Sequence, residues 1–279
     1  MSDASATIAR LLRRADDVAK AAASRRSPEA VRAQLADLLA AARDHLEAVP
    51  DDDQRLELAG AIARRVADLD ALEVATLLGP SPGVAVAPTR VEDAARVPPG
   101  QHLTAGFPVL HVGRAPDWSR SDVRLVVTGL VSQRLVLGFD DLVALGAVER
   151  TRDFHCVTTW SRLDNTWTGV RVVDVLARAG VRAEATHAVV SGYPAYSTNL
   201  ALEDLQADDV LLAWAHDGEP LAREHGGPLR LVVPHLYGWK SVKWVTELRL
   251  LDRDVRGYWE ERGYHDLGDP WREQRFRGD

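Results

Sequence analysis

An α+β fold is predicted for this sequence: a mixed domain of short strands and short helices, preceded by a small all-α helical region. Three observations predict it. All eight Trp, five Tyr and four Phe lie at or beyond Phe107, so the first 106 residues have no aromatic side chain with which to build a large core. Those first residues are rich in Ala, Leu, Arg and Asp, with apolar positions at helical spacing. Beyond Phe107 short β-branched runs alternate with short helical patterns, as in a mixed domain and unlike a doubly wound sheet.

The helical region spans residues 1–80. Ile8, Leu11, Leu12, Ala15, Val18, Ala19 and Ala22 make a first apolar face. Ser27 reads as an N-cap with Pro28 at the first helical position, followed by a stripe of Val31, Leu35, Leu38, Leu39, Ala42 and Leu46. Asp51 to Asp53 marks a break. Leu56, Leu58, Ile62, Val66, Leu69, Leu72, Val74 and Leu77-Leu78 supply further faces ending at Gly79-Pro80. The region carries no polar constellation beyond His45 and scattered carboxylates, so an accessory or interaction role is expected. Residues 81–106 form a proline-rich linker, where Pro82, Pro88, Pro98 and Pro99 oppose regular structure.

The third unit is 107–279. Val123–Val127 and Gln133–Leu137 read as strands around Gly129, and Phe139–Leu145 as a short helix. Thr151–Cys156 reads as a strand, Val173–Ala179 as a helix closed by Gly180, Ala188–Ser191 as a strand and Ala201–Leu205 as a short helix. Asp209–Ala215, Leu229–Val233 and Val245–Leu251 are further strands.

Composition narrows the function. A formal net charge of −7 opposes a general nucleic-acid partner. No run of 18 apolar residues exists, so membrane insertion is not expected. Arg13-Arg14 is followed by Ala15-Asp16-Asp17 and not by an apolar stretch, so no export signal is read and the expected location is cytoplasmic. With a single cysteine, an intrachain disulfide and a Cys-rich zinc site are both excluded. No dinucleotide fingerprint, Walker loop, HExxH or nucleophile elbow is present.

Two segments carry candidate chemistry. In Asp153-Phe-His-Cys156-Val-Thr-Thr-Trp-Ser161 the cysteine ends a strand. It is a soft ligand for a redox metal, a nucleophile, or a small buried hydrophobe. The second segment is His225-Gly-Gly-Pro-Leu-Arg230, with Tyr237-Gly-Trp-Lys240-Ser-Val-Lys243-Trp244 beyond it. Its glycines admit close backbone approach, and Arg230, Lys240, Ser241 and Lys243 offer donors to a phosphate. Only three of the 34 basic residues are lysines, and two of them are Lys240 and Lys243. An anion pocket and a solvated basic turn both fit these residues.

Taken together, in this order and spacing, the two segments resemble the sulfite oxidase superfamily of molybdopterin oxidoreductases, and in particular its compact bacterial, methionine sulfoxide reductase-like members. The resemblance covers roughly residues 98–279, through the Asp269-Pro-Trp-Arg-Glu-Gln-Arg-Phe276 tail, and includes Trp167-Thr-Gly169-Val. It implies a sulfite-oxidase-type molybdopterin-binding domain with a molybdenum-molybdopterin cofactor. Cys156 is implied as the metal thiolate, with His111, Ser191, His225, Arg230, Ser241, Val242 and Lys243 binding the cofactor. Tyr196 is implied as a catalytic tyrosine. The implied reaction is oxygen-atom transfer to or from a small sulfur or nitrogen oxide, served by an unidentified electron-transfer partner. Departures accompany the likeness: Val109 and Thr158-Thr159-Trp160 stand where sulfite oxidases carry basic residues. These departures leave open a cytoplasmic sulfoxide reductase, or a non-catalytic cofactor-binding or interaction module.

Overall fold

The computed structural model describes residues 3–23, 34–35, 37–38, 40–42, 45, 91–112 and 114–279. The chain divides into two compact units, Met1–Ala85 and Val86–Asp279. In the first, α1 (Asp3–Ala23) has Leu11, Ala15 and Val18 buried. Their spacing of four and three residues puts them on one face. Leu35, Leu38 and Ala42 are also helical and buried. The Ser27-Pro28 cap and the stripes of residues 51–78 lie outside the described residues.

The second unit holds two sheets. One contains β1 (His102–Leu103), β4 (Val148–His155), β5 (Trp160–Arg171), β8 (Leu211–His216), β9 (Glu219–Pro220) and β10 (Arg230–Val232). The other runs in the order β3 (Leu135–Leu137), β2 (Leu125–Gly129), β11 (Val245–Leu251), β6 (His187–Gly192) and β7 (Tyr196–Ala201). Both sheets are mixed. β1 pairs with β5 in parallel and β11 with β2 in parallel, while the other pairings are antiparallel. Short helices α2 (Phe139–Ala144), α3 (Val172–Ala179) and α4 (Leu202–Leu205) sit in the connections.

Alternation along single strands divides the interior into two cores. On β8, Leu212 and Trp214 enter the larger core, which also takes Leu125 and Val127 of β2, Leu248 and Leu250 of β11, and Val175, Leu176 and Ala179 of α3. Leu211 and Ala213, on the opposite face of the same strand, enter a second core with Phe154, Cys156, Trp160, Trp167, Tyr237, Trp239 and Tyr264. Because both faces are covered, β8 reads as one continuous apolar run instead of an alternating one. The aromatic residues that set 107–279 apart in composition are concentrated in the second core, around the cysteine.

The strand over Thr151–Cys156 begins at Val148 and ends at His155. Four strands beyond the expected set appear, β1, β5, β7 and β9. β5 is masked in sequence by Arg162, Asp164 and Asn165, which stabilise its start through polar pairs instead of apolar alternation. Within 81–106 the chain forms a short 3₁₀ helix (Val91–Arg96) and then β1. Among the described residues no helix is long and apolar enough to cross a membrane.

A buried ion pair fastens the C-terminal segment to this unit. Lys240 and Glu260 both have fully buried side chains, with Nζ and Oε1 2.8 Å apart. Lys240 Nζ also donates to Asn199 Oδ1 at 2.7 Å and to Asp266 O at 2.7 Å. Glu260 Oε1 accepts from Thr198 Oγ1 at 2.7 Å and Trp239 Nε1 at 2.9 Å. Removing one charge of such a pair strands the other in a dry interior, at about 3–5 kcal/mol. Glu260→Gln keeps an acceptor oxygen but removes the charge, so urea denaturation should show a loss of that order. Lys240→Met combined with Glu260→Leu should lose less than Glu260→Gln alone. An equal or larger loss in the double variant would show that the charge pairing is not what fastens the segment.

Candidate functional site

Cys156 follows β4 at the start of a tight turn. Its N–H donates to Trp160 O at 2.8 Å, and Thr159 N–H donates back to Cys156 O at 3.1 Å. Thr159 has φ 69°, the left-handed conformation that closes the turn. Cys156 is 8% exposed, and its sulfur lies 3.2 Å from Thr158 Oγ1. Burial pushes the thiol pKa up, while the Thr158 hydroxyl and the charge of Lys243 oppose the shift. Among the described residues no group of three or more His, Cys, Asp or Glu side chains is arranged to hold a metal. The chain therefore offers a metal one soft sulfur instead of a cage of ligands.

The basic segment folds beside this turn. Gly226 has φ 103°, and a Cβ there would lie 3.0 Å from Cβ of both Arg230 and Lys243. The absence of a side chain lets the two cations share one site. Arg230 is 2% exposed. Its guanidinium donates to His225 O at 2.9 Å and Ser241 O at 3.2 Å, and lies over the rings of Phe154 and Trp167. Lys243 Nζ donates to Glu224 O at 2.6 Å and Leu110 O at 2.9 Å. Neither cation has a carboxylate partner among the described residues. Burial alone pushes the Arg230 pKa down to about 9, and burial together with Arg230 holds Lys243 well below an ordinary lysine. Lys240, the other lysine of the segment, faces Glu260 instead.

Ser241 and Val242 join the two cations. Ser241 is buried and its hydroxyl accepts from Val233 N–H at 2.9 Å. Val242 is fully buried, and its carbonyl accepts from Leu231 N–H at 2.7 Å. His225 is half-buried and stacks on Phe107, with centroids 4.6 Å apart and planes 6° apart. Phe107 also meets Phe154, Trp160, Trp167 and His216. The indole N–H groups of Trp160 and Trp167 in this cage are buried without an acceptor among the described residues. Such orphaned donors call for an acceptor that is not part of the chain.

The remaining sequence candidates lie at varying distance from this centre. His111 is exposed, its ring 5.1 Å from that of Trp244, which follows Lys243. Ser191 lies in β6, where its carbonyl accepts from Thr246 Oγ1 at 3.3 Å. Tyr196 opens β7 and its hydroxyl donates to Trp239 O at 2.5 Å. Burial, then the charge of Glu260, hold the Tyr196 phenol well above its ordinary pKa. Arg230 meets His225 through its carbonyl and Lys243 across Gly226, and of this group the charge of Lys243 acts on the Cys156 thiol. Phe107, His216 and Gln101, whose amide donates to Cys156 O at 3.1 Å, join the site without a sequence signal of their own. Only a motif tying them to the cysteine turn could have revealed them.

Burial leaves three histidines beside the site resistant to protonation. His155 and His216 are pushed down to about 4 and His225 to about 3, burial being the largest cause in each. Near pH 7 these rings are neutral in folded and unfolded chains alike. As pH falls below 6.5 the unfolded chain takes up protons that the folded one refuses, so stability declines from there toward pH 4. Chemical denaturation across that window should show the decline, and His216→Gln should flatten it. A His216→Gln profile parallel to that of the unaltered protein would contradict this assignment.

Comparison with known proteins identifies the family. Residues 112–259 match the oxidoreductase molybdopterin binding domain. The uncharacterized oxidoreductase YuiH of Bacillus subtilis is 48% identical over 193 residues, covering 68% of this chain and 98% of that protein. The protein-methionine-sulfoxide reductase catalytic subunit MsrP of Gluconobacter oxydans is 32% identical over 153 residues, 48% of this chain and 49% of that one. Human mitochondrial sulfite oxidase is 36% identical over 109 residues, 35% of this chain and 20% of that one. The chain thus spans nearly all of the first relative but half or less of the other two. It belongs to the oxidoreductase molybdopterin binding domain family, within the sulfite oxidase superfamily, and is a molybdopterin-dependent oxidoreductase.

Proposed function

We propose that this oxidoreductase transfers an oxygen atom to or from a small sulfur or nitrogen oxide, with Cys156 as the protein thiolate on molybdenum. The observation that carries the reading is the pair Arg230 and Lys243, buried cations whose hydrogen bonds go to backbone carbonyls and which form no ion pair with a carboxylate among the described residues, near a buried thiol. The residues present fit the cofactor. Arg230 and Lys243 would take the cofactor's phosphate, and the buried indole N–H groups of Trp160 and Trp167 would take polar acceptors of its pterin. The relatives' names support the substrate class, since sulfite oxidase and methionine-sulfoxide reductase both act on sulfur–oxygen groups.

Bound molybdenum supplies the two-electron, oxygen-exchanging chemistry. The chain's residues bind, orient and exclude water. Arg230, Lys243, Ser241 and the backbone of Val242 hold the phosphate. His225, kept neutral and stacked on Phe107, faces the pterin as a neutral donor or acceptor. His111 and Ser191 complete the cofactor contacts. Lys243 favours the thiolate form of Cys156 electrostatically. Tyr196 keeps its phenolic proton and serves as a neutral group toward substrate. An electron-transfer partner supplies or removes the electrons, in the cytoplasm, and residues 1–80 act as an accessory region followed by the 81–106 linker.

Protein from a molybdenum-replete host should carry about one molybdenum and one pterin per chain. Cys156→Ser should abolish turnover of sulfoxides, N-oxides and sulfite and weaken metal retention, while far-UV circular dichroism stays unchanged. Full activity and molybdenum content in Cys156→Ser would refute the assignment. Removal of residues 1–80 should leave cofactor content intact, and a truncated protein that folds but lacks molybdenum would place the helical region in the site.

A further inference from the structure

The cysteine turn is fastened from outside the stretch that carries the family match. Gln101 precedes residues 112–259, in a segment whose prolines gave no chemical signal. Its Nε2 donates to Cys156 O at 3.1 Å, and its Oε1 accepts from Ser161 Oγ at 3.3 Å. Ser161 is fully buried and lies within 2.8 Å of His155 Nδ1. One amide therefore ties the carbonyl of Cys156 to the far side of its own turn. The carbonyl already accepts from Thr159 N–H, so Gln101 provides its second donor.

The backbone of Gln101 is fixed on both sides. After it, His102 N–H donates to Thr159 O at 2.9 Å and Thr104 N–H to Ser161 O at 3.0 Å, the pairing of β1 with β5. Before it, Arg275 Nη2 donates to Pro99 O at 3.2 Å. Gly100 has φ 68°, and a Cβ there would lie 2.9 Å from Glu273 Oε1 and 3.0 Å from Arg275 Nη2. The C-terminal tail thus grips the residues that present Gln101. A side chain held this firmly on the cysteine carbonyl fits a role in setting sulfur direction, as groups behind a metal ligand do.

We propose that Gln101 is a positioning residue for the Cys156 thiolate, setting the direction of its sulfur through the carbonyl of the turn. The proposal rests on the reading of Cys156 as the metal ligand. Glutamine is required because the two contacts need a donor and an acceptor on one neutral group. Glutamate offers only acceptors when ionised, so its carboxylate would face the Cys156 carbonyl without a proton to share.

The test uses the full-length holoprotein with Gln101→Glu, Gln101→Leu and Cys156→Ser. Molybdenum release during dialysis and the electron paramagnetic resonance spectrum of the partly reduced metal are recorded. Both Gln101 variants should release molybdenum about 10–100-fold faster and show a shifted spectrum, with unchanged circular dichroism. Wild-type spectrum and release in both, alongside an altered Cys156→Ser, would overturn the role of Gln101 and leave the ligand assignment standing. A wild-type spectrum in Cys156→Ser would overturn the ligand assignment and the proposal with it. If the Gln101 variants fail to fold, Ser161→Ala removes only the hydroxyl that orients the amide. It should shift the spectrum in the same sense, and an unshifted spectrum would count against the proposal.

Discussion

Two cations held out of water without a carboxylate dominate this structure. Arg230 and Lys243 satisfy their N–H groups on backbone carbonyls, which return partial charge but no full negative charge. A desolvated cation left in this way is unfavourable by several kcal/mol. The fold tolerates it because the two side chains are fixed by neighbours with other work to do. Gly226 lets their stems pack together, and Phe154 and Trp167 cover the guanidinium. The two side chains are thereby preorganised for the anion proposed for this site.

The sheets supply the rigidity that this arrangement needs. β8 is buried on both faces, so the strand that pairs with β10 and Arg230 cannot shift without disturbing two cores. The cysteine turn joins β4 to β5, and the bridge between Arg230 and Lys243 links the basic segment to itself. The pair Lys240–Glu260 then fastens the C-terminal segment onto that basic segment, and Arg275 reaches Pro99 from the same tail. Residues distant in sequence thus meet around one sulfur. Two lysines three positions apart do different things: one faces a buried carboxylate, the other the backbone carbonyls of Leu110 and Glu224.

Much of the fold could be read from local pattern. α1, α3 with its closing Gly180, β2, β8, β10 and β11 follow from apolar spacing and turn residues. β5 was hidden because polar pairs, such as Arg162 with Asn165, stabilise its start in place of apolar alternation. β1 was hidden by the prolines before it. In the site, the Cys156 and His225–Lys243 segments stood out by residue type, and their juxtaposition depends on sheet pairing that no local pattern encodes. Phe107 and His216 look like ordinary core and strand-end residues until the cage around His225 is seen. Lys240 and Lys243 are alike by residue type; the resemblance implies only Lys243, and in the fold the position of Glu260 sets Lys240 apart.

On the proposed function, Arg230 is held for the cofactor's anion and not for the fold. The thermal midpoint of cofactor-loaded and cofactor-free protein, each with and without Arg230→Met, tests it most directly. A ligand stabilises the folded chain in proportion to its affinity, so the gap between loaded and free forms measures what Arg230 contributes to holding it. The account predicts that Arg230→Met narrows the gap by lowering the loaded form while the free form stays nearly unchanged. Equal lowering of both forms, with the gap preserved, would contradict it.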